Sequence, residues 1–273
     1  MLRAELFEIA IATPDLAAMR AFYAGAMGYH FDADAEGIVG SAGDRRIRLV
    51  GGRAGRLVHA AYALEDEPAL RALGERLTGR EARPEPISWN GGEGLAVLDP
   101  DGNRLLFTLA QRRSDDGKGE SPKARLQHAV FATADPERLL AFYTKAIGFR
   151  LSDRVEDSDN ALRAAFLRSG SEHHSLALFR AAKSRLDHHC YETDGWICIR
   201  DWADRLASFG VPIKWGPGRH GPGNNLFLFV QDPDGNRIEI SAELAHVAPD
   251  APAGLWPHEE RTLNLWGAGM LRS

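Results

Sequence analysis

The sequence predicts an α+β protein of two tandem domains, each made of two paired βαβββ modules. Two observations carry that prediction. The chain repeats itself at long range, and within each repeat short apolar strands flank an amphipathic helix. FEIAIATPDLAAMRAFYAGAMGY at 7–29 aligns with HAVFATADPERLLAFYTKAIGF at 128–149, an offset of 120 residues from Phe22 to Phe142. LVHAAYALED at 57–66 aligns with LDHHCYETDG at 186–195, and VLDPDGNRLLFTLA at 97–110 with VQDPDGNRIEISAE at 230–243.

Taken in order, each repeat opens on an apolar strand, passes an Ala-Thr turn into a helix of about three turns, and continues through two or three strands. The same pattern then returns at lower fidelity. In DPDGN the carboxylate and the glycine make a tight turn with positive φ, so the last strand runs back through the middle of its sheet. A module of this kind leaves an open, curved sheet, and two of them face a shared concavity where a ligand is expected. Between the halves, QRRSDDGKGESPKAR at 111–125 is charged and lacks apolar periodicity, as an exposed linker does. The expected domains are 1–114 and 124–245, with a linker at 115–123 and a C-terminal tail at 246–273.

Composition allows one large core or two of ordinary size: 273 residues, 44% hydrophobic and 26% charged. A formal net charge of -5 provides no basic field for a nucleic-acid backbone, so no nucleic-acid partner is expected. No apolar run approaches the roughly 18 to 20 residues of a membrane span, and the N-terminus lacks signal-peptide character. A cytoplasmic protein without a membrane partner is therefore expected. Cys190 and Cys198 have no CxxC spacing and read as reduced thiols with a packing role.

The chemistry concentrates in the second half. RLQHAVFAT and RLDHHCYET both carry a histidine, His128 and His188, three residues after the arginine, and NRIEIS places Glu239 three residues after the turn asparagine. Strand alternation allows all three side chains to enter one concave surface. Two imidazoles and one carboxylate make the facial triad that holds non-haem Fe(II) and leaves positions open for substrate and dioxygen. His189 competes with His188, but adjacent strand residues face opposite ways and the alignment with His128 favours His188; His189 is then packed or exposed. In the first half the corresponding residues are Glu8, His59 and Leu106. Leucine cannot ligate, so no metal is expected there, and that half is read as structural and as a source of subunit contacts.

These paired modules, the DPDGNRIE strand and the His, His, Glu positions resemble the vicinal oxygen chelate superfamily, and within it the type I extradiol ring-cleaving dioxygenases. The resemblance spans nearly the whole chain. HHSLALF at 173–179 is similar to the family segment carrying a catalytic histidine outside the metal shell; the spacing to His188 favours His174 over His173. GPGRHGPGNN at 216–225 resembles a loop bearing another active-site histidine, here His220. The tail LWPHEERTLNLWG resembles the family's C-terminal extension. The resemblance implies an Fe(II) centre, with Mn(II) also compatible, that cleaves a catecholic diol with O2 beside the diol to a muconic semialdehyde-type product. His174 is expected to shuttle the substrate proton and His220 to hydrogen-bond substrate or reacting oxygen. A homo-oligomer is implied as well.

One residue departs from the family pattern. A tyrosine usually stands ten residues before the carboxylate, on the same strand, and here that place is Phe229. A phenyl ring cannot donate, so a hydrogen bond of about 1 kcal/mol, or roughly 3 if charge-assisted, is missing. This leaves two alternatives open. One keeps the metal but performs non-oxidative lyase, isomerase or hydrolase chemistry, and the other is a metal-independent small-molecule binding protein. Phe131, Phe142, Phe149 and Phe179 read as core. Trp196, Trp215, Trp256 and the loop from Asp194 are candidates for the pocket wall.

Overall fold

The computed structural model describes residues 2–34, 37–78, 82–89, 92–109 and 121–271. Its first half runs β1 (Ala4–Thr13), α1 (Leu16–Gly25), β2 (His30–Asp34), β3 (Gly37–Ala42) and β4 (Arg45–Gly51). The unit then repeats as β5 (Arg56–Leu64), α2 (Glu67–Thr78), β6 (Glu85–Trp89), β7 (Gly92–Leu98) and β8 (Arg104–Leu109). The second half begins with β9 (Arg125–Thr133), α3 (Pro136–Ala141), β10 (Arg150–Glu156), β11 (Leu162–Arg168) and β12 (Leu176–Arg180). It continues with β13 (Arg185–Thr193), α4 (Trp196–Ser208), β14 (Trp215–Arg219), β15 (Leu226–Gln231) and β16 (Arg237–Ala242). A tail adds β17 (Gly254–Pro257) and α5 (Glu260–Leu263). The expected duplication of βαβββ modules is thus the architecture. Most of the predicted linker, 115–120, lies outside the described residues.

Local chemistry repeats with the modules. Asp15 caps α1 by accepting the Ala18 N–H at 3.0 Å, and Asp135 caps α3 by accepting that of Arg138 at 3.0 Å. Thr13 and Thr133 in turn accept the N–H of Asp15 and Asp135. After Ala141 the third helix widens into a π-helical turn over Phe142–Ile147, which ends at Gly148 with φ 101°.

Each half forms one sheet. The orders are β2-β3-β4-β1-β5-β8-β7-β6 and β14-β15-β16-β13-β9-β12-β11-β10-β17. In both, the first strands of the two modules pair antiparallel at the centre, and each is flanked by a parallel partner, the last strand of its own module. The DPDGN turns bring β8 and β16 back into the sheet interior, with Gly102 and Gly235 at φ 84° and 81°.

The two halves hold each other through those turns. Tyr143, from the π-helical turn, donates to Asp99 at 2.8 Å, and Tyr23, from α1, donates to Asp232 at 3.3 Å. Each FY pair therefore serves the turn of the opposite half. The aspartates also hold their own turns, accepting the N–H groups of Asp101 and Asn103, or of Asp234 and Asn236.

Candidate metal centre

His128 on β9, His188 on β13 and Glu239 on β16 come from three adjacent central strands. Cys190 on β13 lies opposite both His128 and Glu239, which fixes their level in the sheet. One donor atom from each residue falls within 4.8 Å of the others, and all three side chains are buried. His128 Nε2 and His188 Nε2 both stand 3.2 Å from the same oxygen, Glu239 Oε2.

The outward nitrogens explain the inward ones. His188 Nδ1 hydrogen-bonds Asp187 Oδ1 at 2.6 Å, and His128 Nδ1 hydrogen-bonds Gln127 Oε1. Both partners can only accept at those oxygens, so each ring carries its proton on Nδ1 and presents a lone pair at Nε2. Two lone pairs then face one carboxylate oxygen, an arrangement that repels unless a cation stands among them. Donor separations near 3 Å suit adjacent ligands of a first-row divalent ion with octahedral preference. The residues fit a metal.

Burial alone would raise the carboxyl pKa of Glu239, but where no ion stands among them His128, His188 and His220 can take up a proton at Nε2 and donate to it, and they then hold it well below the usual range. Burial lowers the pKa of His128. For His188 burial acts in the same direction, yet Asp187 and Glu239 outweigh it and the net shift is upward. Asn225 donates to Glu239 Oε1 at 3.3 Å and to Ser241 Oγ at 2.9 Å, holding the carboxylate's second oxygen.

His174 and His220 both reach this centre. The His174 ring lies 4.5 Å from that of His128. Its Nδ1 hydrogen-bonds His173 Nδ1 at 3.0 Å, while His173 Nε2 stands 3.0 Å from Asp153 Oδ2, a close contact without hydrogen-bond alignment. The Trp256 indole and the Gly254 N–H fix Asp153 in turn. A carboxylate beside Nε2 favours the His173 proton there, which makes His173 Nδ1 the acceptor and His174 Nδ1 the donor. His174 is thereby left with a free lone pair on Nε2, and burial depresses its pKa well below normal. His220 follows β14, donates from Nδ1 to the Leu263 carbonyl, and stacks on Phe227 at 3.9 Å. Its Nε2 stands 3.5 Å from Glu239 Oε1.

A cavity opens onto the triad. Val130, Phe166, Phe179, Trp215 and Phe229 form its apolar walls, and Thr262, Leu263 and Met270 of the tail close it. Among the described residues its lining contains no lysine or arginine. Several expectations change here. Phe229 lies on β15, directly across from Glu239 on β16, because the DPDGN turn separates them; the two do not share a strand. Its ring meets that of His188 edge-on at 5.1 Å. Phe179 is a wall residue rather than simple core. Trp196 is 48% exposed and packs against Trp266, and neither it nor the Asp194 loop lines the cavity. Trp256 acts through Asp153. His189 is fully buried on the opposite face, beside Tyr191. Cys190 is buried, and burial pushes its thiol pKa well up.

The equivalent place in the first half is filled. Glu8 accepts from Arg48 at 3.2 Å and from Arg46, and His59 Nε2 contacts it at 2.9 Å. Leu106 packs with Ala61 and Ala96 beneath Phe7 and Trp89. Guanidinium groups supply the positive charge on this face, and aromatic rings occupy the space of a ligand.

Residues 125–240 match the Glyoxalase/Bleomycin resistance protein/Dioxygenase superfamily. Metapyrocatechase 2 of Cupriavidus necator is 28% identical over 288 residues, covering 94% of this chain and 87% of that protein. Iron-dependent and manganese-dependent dioxygenases are both among the relatives. Homoprotocatechuate 2,3-dioxygenase from Arthrobacter globiformis superposes with a TM-score of 0.84 at 26% identity, over 99% of this chain and 91% of that one. The Mn(II)-bound glyoxalase from Novosphingobium aromaticivorans does so with a TM-score of 0.83 at 25% identity, over 99% and 93%. The duplicated βαβββ fold and the His, His, Glu cluster thus stand in a chain whose second half, over residues 125–240, is similar to the Glyoxalase/Bleomycin resistance protein/Dioxygenase superfamily.

Proposed function

We propose that the protein is an extradiol dioxygenase that cleaves the ring of a catechol-type diol with O2, with His128, His188 and Glu239 holding Fe(II) or Mn(II). The observation that carries this reading is the convergence of two imidazole lone pairs and one carboxylate at the floor of an apolar cavity. A divalent ion held there supplies Lewis acidity toward a diol hydroxyl and electronic coupling between diol and dioxygen.

The remaining steps belong to the protein's side chains. His174, neutral and with its lone pair on Nε2, accepts a diol proton and later returns it to the cleaving substrate. Its Nδ1–H rests on His173 throughout, so the base keeps one tautomer. His220 has its own Nδ1–H tied to Leu263, and its Nε2 accepts a hydrogen bond from the diol. Phe166, Phe179, Trp215 and Phe229 exclude water and hold the ring by apolar contact. A lining without lysine or arginine favours an uncharged diol over one bearing a carboxylate. No helix among the described residues is long and apolar enough to cross a membrane. A cytoplasmic homo-oligomer is the expected form.

Phe229 favours a second reading, in which the same metal centre performs non-oxidative chemistry. Anaerobic reconstitution with Fe(II), followed by oxygen uptake with a panel of neutral and carboxylated catechols, separates the two. Uptake with a yellow ring-cleavage product is expected for the neutral diols. No uptake with any catechol would overturn the dioxygenase reading.

A further inference from the structure

The two metal-facing histidines share a local irregularity. In the β9–β13 ladder His128 pairs with Cys190 and Leu126 with Tyr191, so Gln127 has no partner across the ladder. On the other strand Leu186 pairs with Phe131 and His188 with Val130, which leaves Asp187 without one. Both are β-bulges, and each bulged residue immediately precedes a histidine of the triad. In a regular strand neighbouring side chains face opposite ways, whereas a bulge turns two successive side chains toward the same side. That is how Gln127 and Asp187 reach the Nδ1 atoms of the residues next to them.

The first half carries the same two bulges. Phe7 is skipped between Leu6 and Glu8, and Val58 between Leu57 and His59. There the skipped residues are apolar, and Phe7 packs on Trp89 at 5.4 Å. The irregularity therefore belongs to the fold, while a hydrogen-bond acceptor at the bulge occurs only where histidines face the triad.

We propose that Gln127 and Asp187 are positioning residues of the metal centre, unequal by design: a neutral acceptor behind His128 and an anionic one behind His188. Gln127 is itself oriented, because its amide nitrogen donates to the His174 carbonyl at 2.7 Å and to Glu172 at 3.4 Å, which turns its oxygen toward His128. The Asp187 side chain is fully buried, with the guanidinium groups of Arg185 and Arg237 at 3.6 Å and 3.7 Å from Oδ2. Its negative charge makes His188 the stronger donor and stabilises the higher oxidation state of the ion. The inference rests on the triad being a metal site.

The test is an anaerobic Fe(II) competition titration against a chelator, together with the midpoint potential of the Fe(III)/Fe(II) couple and the thermal midpoint of the metal-free protein. Asp187→Asn retains an acceptor but removes the charge. We expect its Fe(II) affinity to fall about tenfold or more and its potential to move upward, with the metal-free thermal midpoint unchanged. Wild-type affinity and potential in that variant would overturn the inference, as would an affinity loss that only tracks a loss of metal-free stability. If Asp187→Asn does not fold, Gln127→Met decides: weaker Fe(II) binding supports the inference and wild-type binding overturns it. A wild-type protein that takes up no Fe(II) would remove the metal reading itself, and the inference with it.

Discussion

In the proposed reaction His174 acts as the base, and residues that do not face the cavity favour its tautomer. The Asp153 carboxylate beside His173 Nε2 favours the tautomer in which His173 Nδ1 accepts from His174 Nδ1, and His174 itself lines the cavity. His174→Phe should therefore lower turnover by roughly 100- to 10,000-fold, the usual range for losing a general acid–base group, while metal content stays at the wild-type value. Steady-state oxygen uptake and metal analysis of the same sample check both halves of that expectation. The resemblance already pointed to His174, through a spacing to His188 similar to the family's. It could not show the role of His173, because the partner that decides the tautomer, Asp153, lies on another strand and becomes a neighbour only after folding. Phe229 was legible as a missing hydroxyl. Its position across from Glu239, on a separate strand, follows from where the DPDGN turn falls.

Among the secondary-structure elements, the central strands determine which half is metal-binding. Alternation along β9 and β13 was enough to separate His188 from His189, since the two faces of a strand are distinguished by parity alone. Parity fails at a bulge, and that is why Gln127 and Asp187 stayed invisible in sequence: their orientation depends on a register shift against the partner strand. The first half shows the same framework with its charge rearranged. Burial opposes ionisation of Glu8, yet His59 and Arg46 keep its carboxyl below the usual range, and Arg48 sits buried beside it. Glu8→Leu would remove the buried carboxylate that Arg46, Arg48 and His59 share, and a destabilisation on the order of 3 kcal/mol is expected. Denaturant unfolding measures it. The metal content of this variant should equal that of the wild type, because the first half contributes no ligand.

Across the whole molecule, duplication is used twice: once to build each curved sheet, and once to fasten the halves. The repeat was fully legible in the chain, because βαβββ units leave the same strand, cap and turn residues at a constant offset. What the FY pairs do was not legible, since Tyr143 and Asp99, or Tyr23 and Asp232, meet only when the halves pack. Tyr143→Phe removes a buried, charge-assisted hydrogen bond and should cost about 1 to 3 kcal/mol of unfolding free energy. Denaturant titration checks it, with Tyr23→Phe expected to cost less because its bond is longer. The closing of the cavity by Thr262, Leu263 and Met270 is likewise a property of the folded whole. The central claim is that three side chains of the second half hold one divalent ion, and its most direct test copies the first half into the second. Metal stoichiometry after anaerobic Fe(II) loading and desalting should give one ion per chain for the wild type and none for Glu239→Leu. A wild type that retains no ion, or a Glu239→Leu variant that retains as much as the wild type, would contradict the account.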